Sequence, residues 1–135
     1  MRVSVLEVAN QKAALKELAR LVEKSTVDPL VRNAAIALTS DCDARDDACE
    51  VRAVYKAIKD GDDRVKGLSR GLKYMSDPRW ADFFSSPSRE LRQLADGING
   101  ADCDQHAALV TALLGSLGFV TGLRAWGPQR NEYTH

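Results

Sequence analysis

Apolar residues recur at helical spacing along much of this chain. Between residues 3 and 24, Val5, Leu6, Ala9, Ala13, Leu15, Leu18, Leu21 and Val22 follow one another at mixed three- and four-residue steps, which predicts an amphipathic helix. Asp28-Pro29 reads as the next helix start, with an aspartate cap and a proline at the first helical position. That helix uses Leu30, Val31, Ala34, Ala35, Ala37 and Leu38 and ends near Ser40. A polar stretch from Asp41 to Asp47 leads into a third helix with Ala48, Val51, Val54, Tyr55 and Ile58 on its expected inner face and Gly61 as its stop. Residues 59 to 71 are charged and glycine-rich and read as a loop. Leu72 to Met75 alternates like a short strand, broken by Asp77-Pro78.

The second half begins with Ser86-Pro87, which opens a short helix through Leu91 and Leu94 that Gly97 closes. Gly97 and Gly100 then form a turn, and Asp102 is placed to cap a helix beginning at Cys103. Ala107, Leu109, Val110, Leu113, Leu114 and Leu117 make that helix too apolar all round for a surface element, so it is expected at the centre. Gly118 stops it. Phe119 to Trp126 reads as a strand, 127 to 131 as a turn, and Glu132 to His135 as a returning strand. The pattern predicts an α+β domain: a helical N-terminal half and a central Cys103 helix packed on a small antiparallel sheet.

Length and charge narrow the field. A chain of 135 residues suits one domain. Lysine plus arginine equals aspartate plus glutamate at 19 each, which points to neither a nucleic-acid nor an anionic membrane partner. The first residues are too weakly apolar for a secretory signal, and no apolar run approaches the roughly 20 residues that span a bilayer. Three cysteines leave at least one thiol unpaired, and the reading is a reducing, cytoplasmic setting with Cys103 free. Cys42 and Cys49 would be separated by roughly 10 Å of rise on one helix, too far for a disulfide. With Cys42 in the preceding loop a bridge stays open, and two plain thiols is the first reading. The Asp41 to Asp47 run lacks the glycine and terminal glutamate of a calcium loop, so neither metal nor cofactor is expected.

Cys103 is the residue with chemical promise. At the first turn of a helix, unpaired backbone N–H groups and the positive end of the dipole favour a thiolate, the reactive form. A nucleophile also needs a base held across a cleft, and His135 at the end of the returning strand is the candidate. His106, three residues along the same helix, is read as a structural or supporting group. Asp102 and Asp104 are read as a cap and a dipole-favoured surface charge, with the cleft lining left open for Asp104. The plain alternative is a buried cysteine that only packs.

The run Gly100-Ala101-Asp102-Cys103-Asp104-Gln105-His106-Ala107, followed by the apolar helix and Leu117-Gly118-Phe119, resembles the core of transglutaminase-like proteins of the papain-like superfamily. Ala48 to Tyr55, Lys73 to Pro78 and Ser86-Pro87 resemble elements that precede this core in bacterial and phage members. The resemblance covers residues 30 to 135 and leaves 1 to 27 outside. It implies a Cys-His-Asp triad with Cys103 as nucleophile and His135 as the histidine opening the second strand. It further implies a peptidase or amidase acting on a protein or peptide substrate through an acyl-enzyme. The family's acidic third member lies on a later strand that has no counterpart here, so the chain reads as the front part of a longer product. Ser85 stands where some relatives carry glutamine, which leaves oxyanion stabilisation to backbone N–H near Cys103 or to a side chain such as Trp80. Two alternatives follow: an inactive binding or assembly module with the same fold, and a homo-oligomer completed along the C-terminal strand edge.

Overall fold

The computed structural model describes residues 4–6, 11–75, 82–84 and 86–123. Five helices make up most of it: α1 (Gln11–Thr26), α2 (Pro29–Leu38), α3 (Asp47–Asp60), α4 (Pro87–Ala95) and α5 (Cys103–Ser116). Their starts obey local chemistry. The Asp28 carboxylate accepts the Leu30 N–H at 2.9 Å ahead of Pro29. Asp46 accepts from the Cys49 N–H at 3.1 Å, and Ser86 accepts from the Arg89 N–H at 3.2 Å. Each cap satisfies a donor that the first helical turn would otherwise leave unpaired.

Helix α5 is the hub. It packs against α1, α2, α3 and α4, and it buries Ala108, Leu109, Ala112, Leu113 and Ser116. The two alanines let neighbouring backbones approach, while Leu109 and Leu113 fill the space between them. Leu18, Leu21 and Val22 from α1, Val31, Ala35 and Leu38 from α2, Val54, Ala57 and Ile58 from α3, and Leu91 and Leu94 from α4 complete the core. Each fully buried leucine contributes about 2 kcal/mol. The stripe on α3 is rotated from the expected one: Val51 and Tyr55 are exposed, and the small Ala57 faces the bundle instead. Ala107 likewise points outward.

The expected sheet is corrected by this architecture. The described fold is helical, not a helix packed on a C-terminal antiparallel sheet. Among the described residues, strand pairing amounts to β1 (Ser4–Leu6) against β2 (Asp82–Phe84), antiparallel with Val5 opposite Phe83, and one parallel bridge from Tyr74 to Ala101. Residues Phe119–Leu123 carry no strand. The rest of the expected hairpin, His135 included, and the strand edge proposed for oligomerisation lie outside the described residues. At the other end, β1 occupies part of the segment expected to open the first helix, which begins at Gln11.

The segment 61–75 reads in sequence as a solvated loop, yet it is part of the core. Val65, Leu68 and Leu72 are buried. It closes on itself through the Asp62 N–H to the Leu68 carbonyl and returns to α3 through the Leu72 N–H to the Ile58 carbonyl at 2.8 Å. Gly67 permits the contact with α4: it has a φ of +87°, and a Cβ there would lie 1.8 Å from the Leu94 carbonyl oxygen. Only glycine fits both the conformation and the space.

The cysteines are the second correction. Cys42 and Cys49 form a disulfide with a Cα–Cα distance of 5.8 Å. The separation argument for two plain thiols assumed a continuous helix, whereas Cys42 lies in the turn before α3, where the chain doubles back. Cys103 is the free cysteine.

Candidate functional site

The start of α5 is built with unusual completeness. Asp102 caps the helix, its carboxylate accepting the Gln105 N–H at 3.0 Å, while the Gln105 side-chain oxygen accepts the Asp102 N–H at 3.0 Å. This reciprocal capping box satisfies two of the orphan donors of the first turn. The Gln105 amide nitrogen in turn donates to Glu90 on α4 at 2.8 Å. Glu90 is only 3% exposed, so a buried carboxylate braces the glutamine that holds the cap. A second brace is Asn99, whose amide donates to the Gly71 carbonyl at 2.8 Å and accepts from the Lys73 N–H at 2.9 Å. The Ala101 N–H then donates to the Lys73 carbonyl, and the Met75 N–H to the Ala101 carbonyl, each at 2.9 Å.

Cys103 follows this cap as the first residue of α5 and is partly exposed. Its backbone N–H has no hydrogen-bond partner among the described residues, because the box engages the N–H groups of Asp102 and Gln105. The sulfur lies 3.7 Å from the Asp104 carboxylate. Burial pushes the Cys103 thiol up, and the carboxylates of Asp104 and then Asp102 push it further, against a smaller opposite pull from the Asp104 N–H. The described surroundings therefore hold this thiol in its protonated form. The helix N-terminus alone does not outweigh two carboxylates and partial desolvation, so a thiolate here requires a cation beside the sulfur.

His106 does not provide it in this arrangement. Its Nδ1 lies 2.8 Å from the Asp102 carbonyl oxygen and its Nε2 3.2 Å from the Leu72 carbonyl oxygen. Both neighbours are acceptors only, so the ring's N–H capacity is directed at backbone and not at Cys103. The ring also faces Tyr74, with centroids 6.4 Å apart. His106 ties α5 to the 61–75 segment. The structure thus brings Cys103, Asp102, Asp104 and His106 into one helical turn, while His135, Ser85 and Trp80 lie outside the described residues.

Sequence reading missed three supports of this site. Gln105 was detectable, since an aspartate followed three residues later by glutamine is the capping-box spacing. Glu90 and Asn99 carry no local signal, because their partners are distant in sequence. A separate groove of about 430 Å³ lies at the opposite end of α5, where Thr111 and Gly115 face Val22 and Thr26 of α1. Among the described residues no group of three or more metal-ligating side chains occurs, and no helix is long and apolar enough to cross a membrane. Comparison with family models, with curated proteins and with solved structures found no match.

Proposed function

We propose that this chain carries a transglutaminase-like thiol site in which Cys103 attacks a carboxamide or peptide carbonyl. The observation that carries this reading is the partly exposed sulfur at the first residue of α5, beside a Cys103 N–H that has no other partner among the described residues. A donor in that position suits the oxygen that becomes negative when a carbonyl is attacked. The motif around Cys103 supplies the second support. The base is His135, which takes the thiol proton. The sulfur adds to the carbonyl, the amine leaves with a proton, and water resolves the acyl-enzyme to acid and free thiol.

A second reading, a binding module of the same ancestry without turnover, draws on the two carboxylates that hold the Cys103 thiol protonated. Alkylation of the full chain by iodoacetamide separates them. The enzyme reading expects rapid modification of Cys103 at pH 6 that drops at least about tenfold in His135→Ala, since an ion-paired thiolate persists well below the ordinary thiol range. Slow modification at pH 6, rising only in the alkaline range and indifferent to His135→Ala, would establish the module.

A further inference from the structure

The Cys42–Cys49 disulfide closes the exposed turn between α2 and α3. Residues 43–48 are exposed. Inside the closed turn, Arg45 adopts a φ of 64°, a left-handed conformation that costs a residue with a side chain. The side chain of Asp41 is 88% exposed, so its ion pair with Arg64 is too solvated to order the turn unaided. The covalent link closes this turn together with the bonds from the Cys42 N–H to the Thr39 carbonyl and from the Asp46 N–H to the Asp43 carbonyl.

What the turn presents to Arg64 gives the link a longer reach. One guanidinium nitrogen of Arg64 donates to Ser40 Oγ at 2.8 Å and to Asp41 at 2.9 Å, and another donates to Asp62 at 2.7 Å. Arg64 thereby fastens the end of α2 to the 61–75 segment. The far end of that segment holds the start of α5: Gly71 and Lys73 bond Asn99, Leu72 meets His106, and Lys73 and Met75 bracket Ala101. Arg64 and the backbone of residues 61–75 thus connect the turn beside the disulfide to the cap of the Cys103 helix.

We propose that the Cys42–Cys49 disulfide is a redox-sensitive strut whose opening loosens, through Arg64, the backbone that positions the start of α5. The chemistry is ordinary thiol–disulfide exchange. A dithiol reductant transfers two electrons and two protons, the S–S bond breaks to two thiols, and the reductant becomes a disulfide. The two-state element is the turn itself, closed and strained when oxidised, and free to relax Arg45 when reduced. Asp41, next to Cys42, then loses its fixed position against Arg64, which retains Ser40, held by Ala37, and the Leu38 carbonyl, so the 61–75 segment is left with fewer bonds to the end of α2. The inference concerns order at the cap and does not depend on Cys103 being a nucleophile.

Hydrogen exchange on the oxidised full chain and on the Cys42→Ser/Cys49→Ser chain tests this. The amides of Lys73, Met75 and Ala101 are expected to exchange at least about threefold faster without the cross-link. Arg64→Ala, with the disulfide intact, is expected to produce the same rise at the same amides. A smaller change there, or one confined to residues 39–50, overturns the proposal, as does an Arg64→Ala chain indistinguishable from the parent. Titration of three thiols in the denatured, unreduced chain would remove its premise.

Discussion

Replacing Cys42 and Cys49 with serine removes a cross-link between residues seven apart. In the chain-entropy picture, closing so short a loop restricts the unfolded ensemble by roughly 2.4 kcal/mol at 25 °C. The native state changes the figure. Arg45 sits in the left-handed region at a φ of 64°, which costs about 1 kcal/mol. An open turn that relaxes recovers that energy. The expected net loss is therefore about 1.4 to 2.4 kcal/mol. For 135 residues, an unfolding entropy of about 2.1 cal/mol/K per residue converts this to roughly 5 to 8 °C in Tm. Thermal and urea unfolding of the two chains, followed by circular dichroism, supplies the measurement. Arg45→Gly in both backgrounds isolates the strain: glycine's extra freedom in the unfolded chain cancels across the cycle, leaving a coupling of about 1 kcal/mol. A net loss below about 0.5 kcal/mol, or a coupling near zero, would refute the account of a strained turn held by the cross-link.

Perturbations at four other positions follow from the packing and the site. Gly67→Ala drives a Cβ to 1.8 Å from the Leu94 carbonyl oxygen and is expected to cost more than about 3 kcal/mol in urea unfolding. Gly97→Ala, with a φ of +84° and nothing within 4 Å, should cost only about 1 kcal/mol. Glu90→Ala removes the acceptor of the part-buried Gln105 amide and is expected to lose about 1 to 2 kcal/mol, whereas Glu90→Gln keeps an acceptor and should lose less than about 1 kcal/mol; equal losses would show that the brace is not a hydrogen bond. Asp104→Asn removes a carboxylate that raises the Cys103 thiol, so the midpoint of alkylation against pH should move down. In the His135→Ala chain, where no imidazole offsets the two carboxylates, the raised thiol makes the fold lose stability as pH climbs from the ordinary thiol range through the folded value, because the unfolded chain ionises first. Asp104→Asn should shrink that alkaline loss.

Much of this fold is legible from local rules. Asp28-Pro29, Ser86-Pro87 and Asp102-Cys103 each open a helix where the cap residue stands. Gly61 and Gly118 follow helix ends with φ values of 104° and 100°. The central place of α5 follows from its lack of a polar face. The inner face of α3 differs from the expected one because Val51, Val54, Tyr55 and Ile58 make as good a stripe as the one observed. Which stripe turns inward depends on the shape of the neighbouring helices, and the smaller Ala57 fits that contact while Tyr55 does not. The strand expected from Phe119 onward rested on apolar residues, which can pack beside a helix end without any strand partner.

The amino-acid order by itself determined the starts of α2, α4 and α5, the glycine stops after α3 and α5, the buried α5, and the placement of Cys103 behind an aspartate cap, because each depends on residues within one or two turns of one another. Only the tertiary structure decided that Cys42 reaches Cys49, that a loop rich in charge contributes Leu68 to the core, that His106 spends its ring on backbone carbonyls, and that Glu90 and Asn99 brace the α5 cap. Those outcomes join groups distant in sequence, or depend on where a turn redirects the chain. No spacing rule records a contact that exists only once the helices have packed.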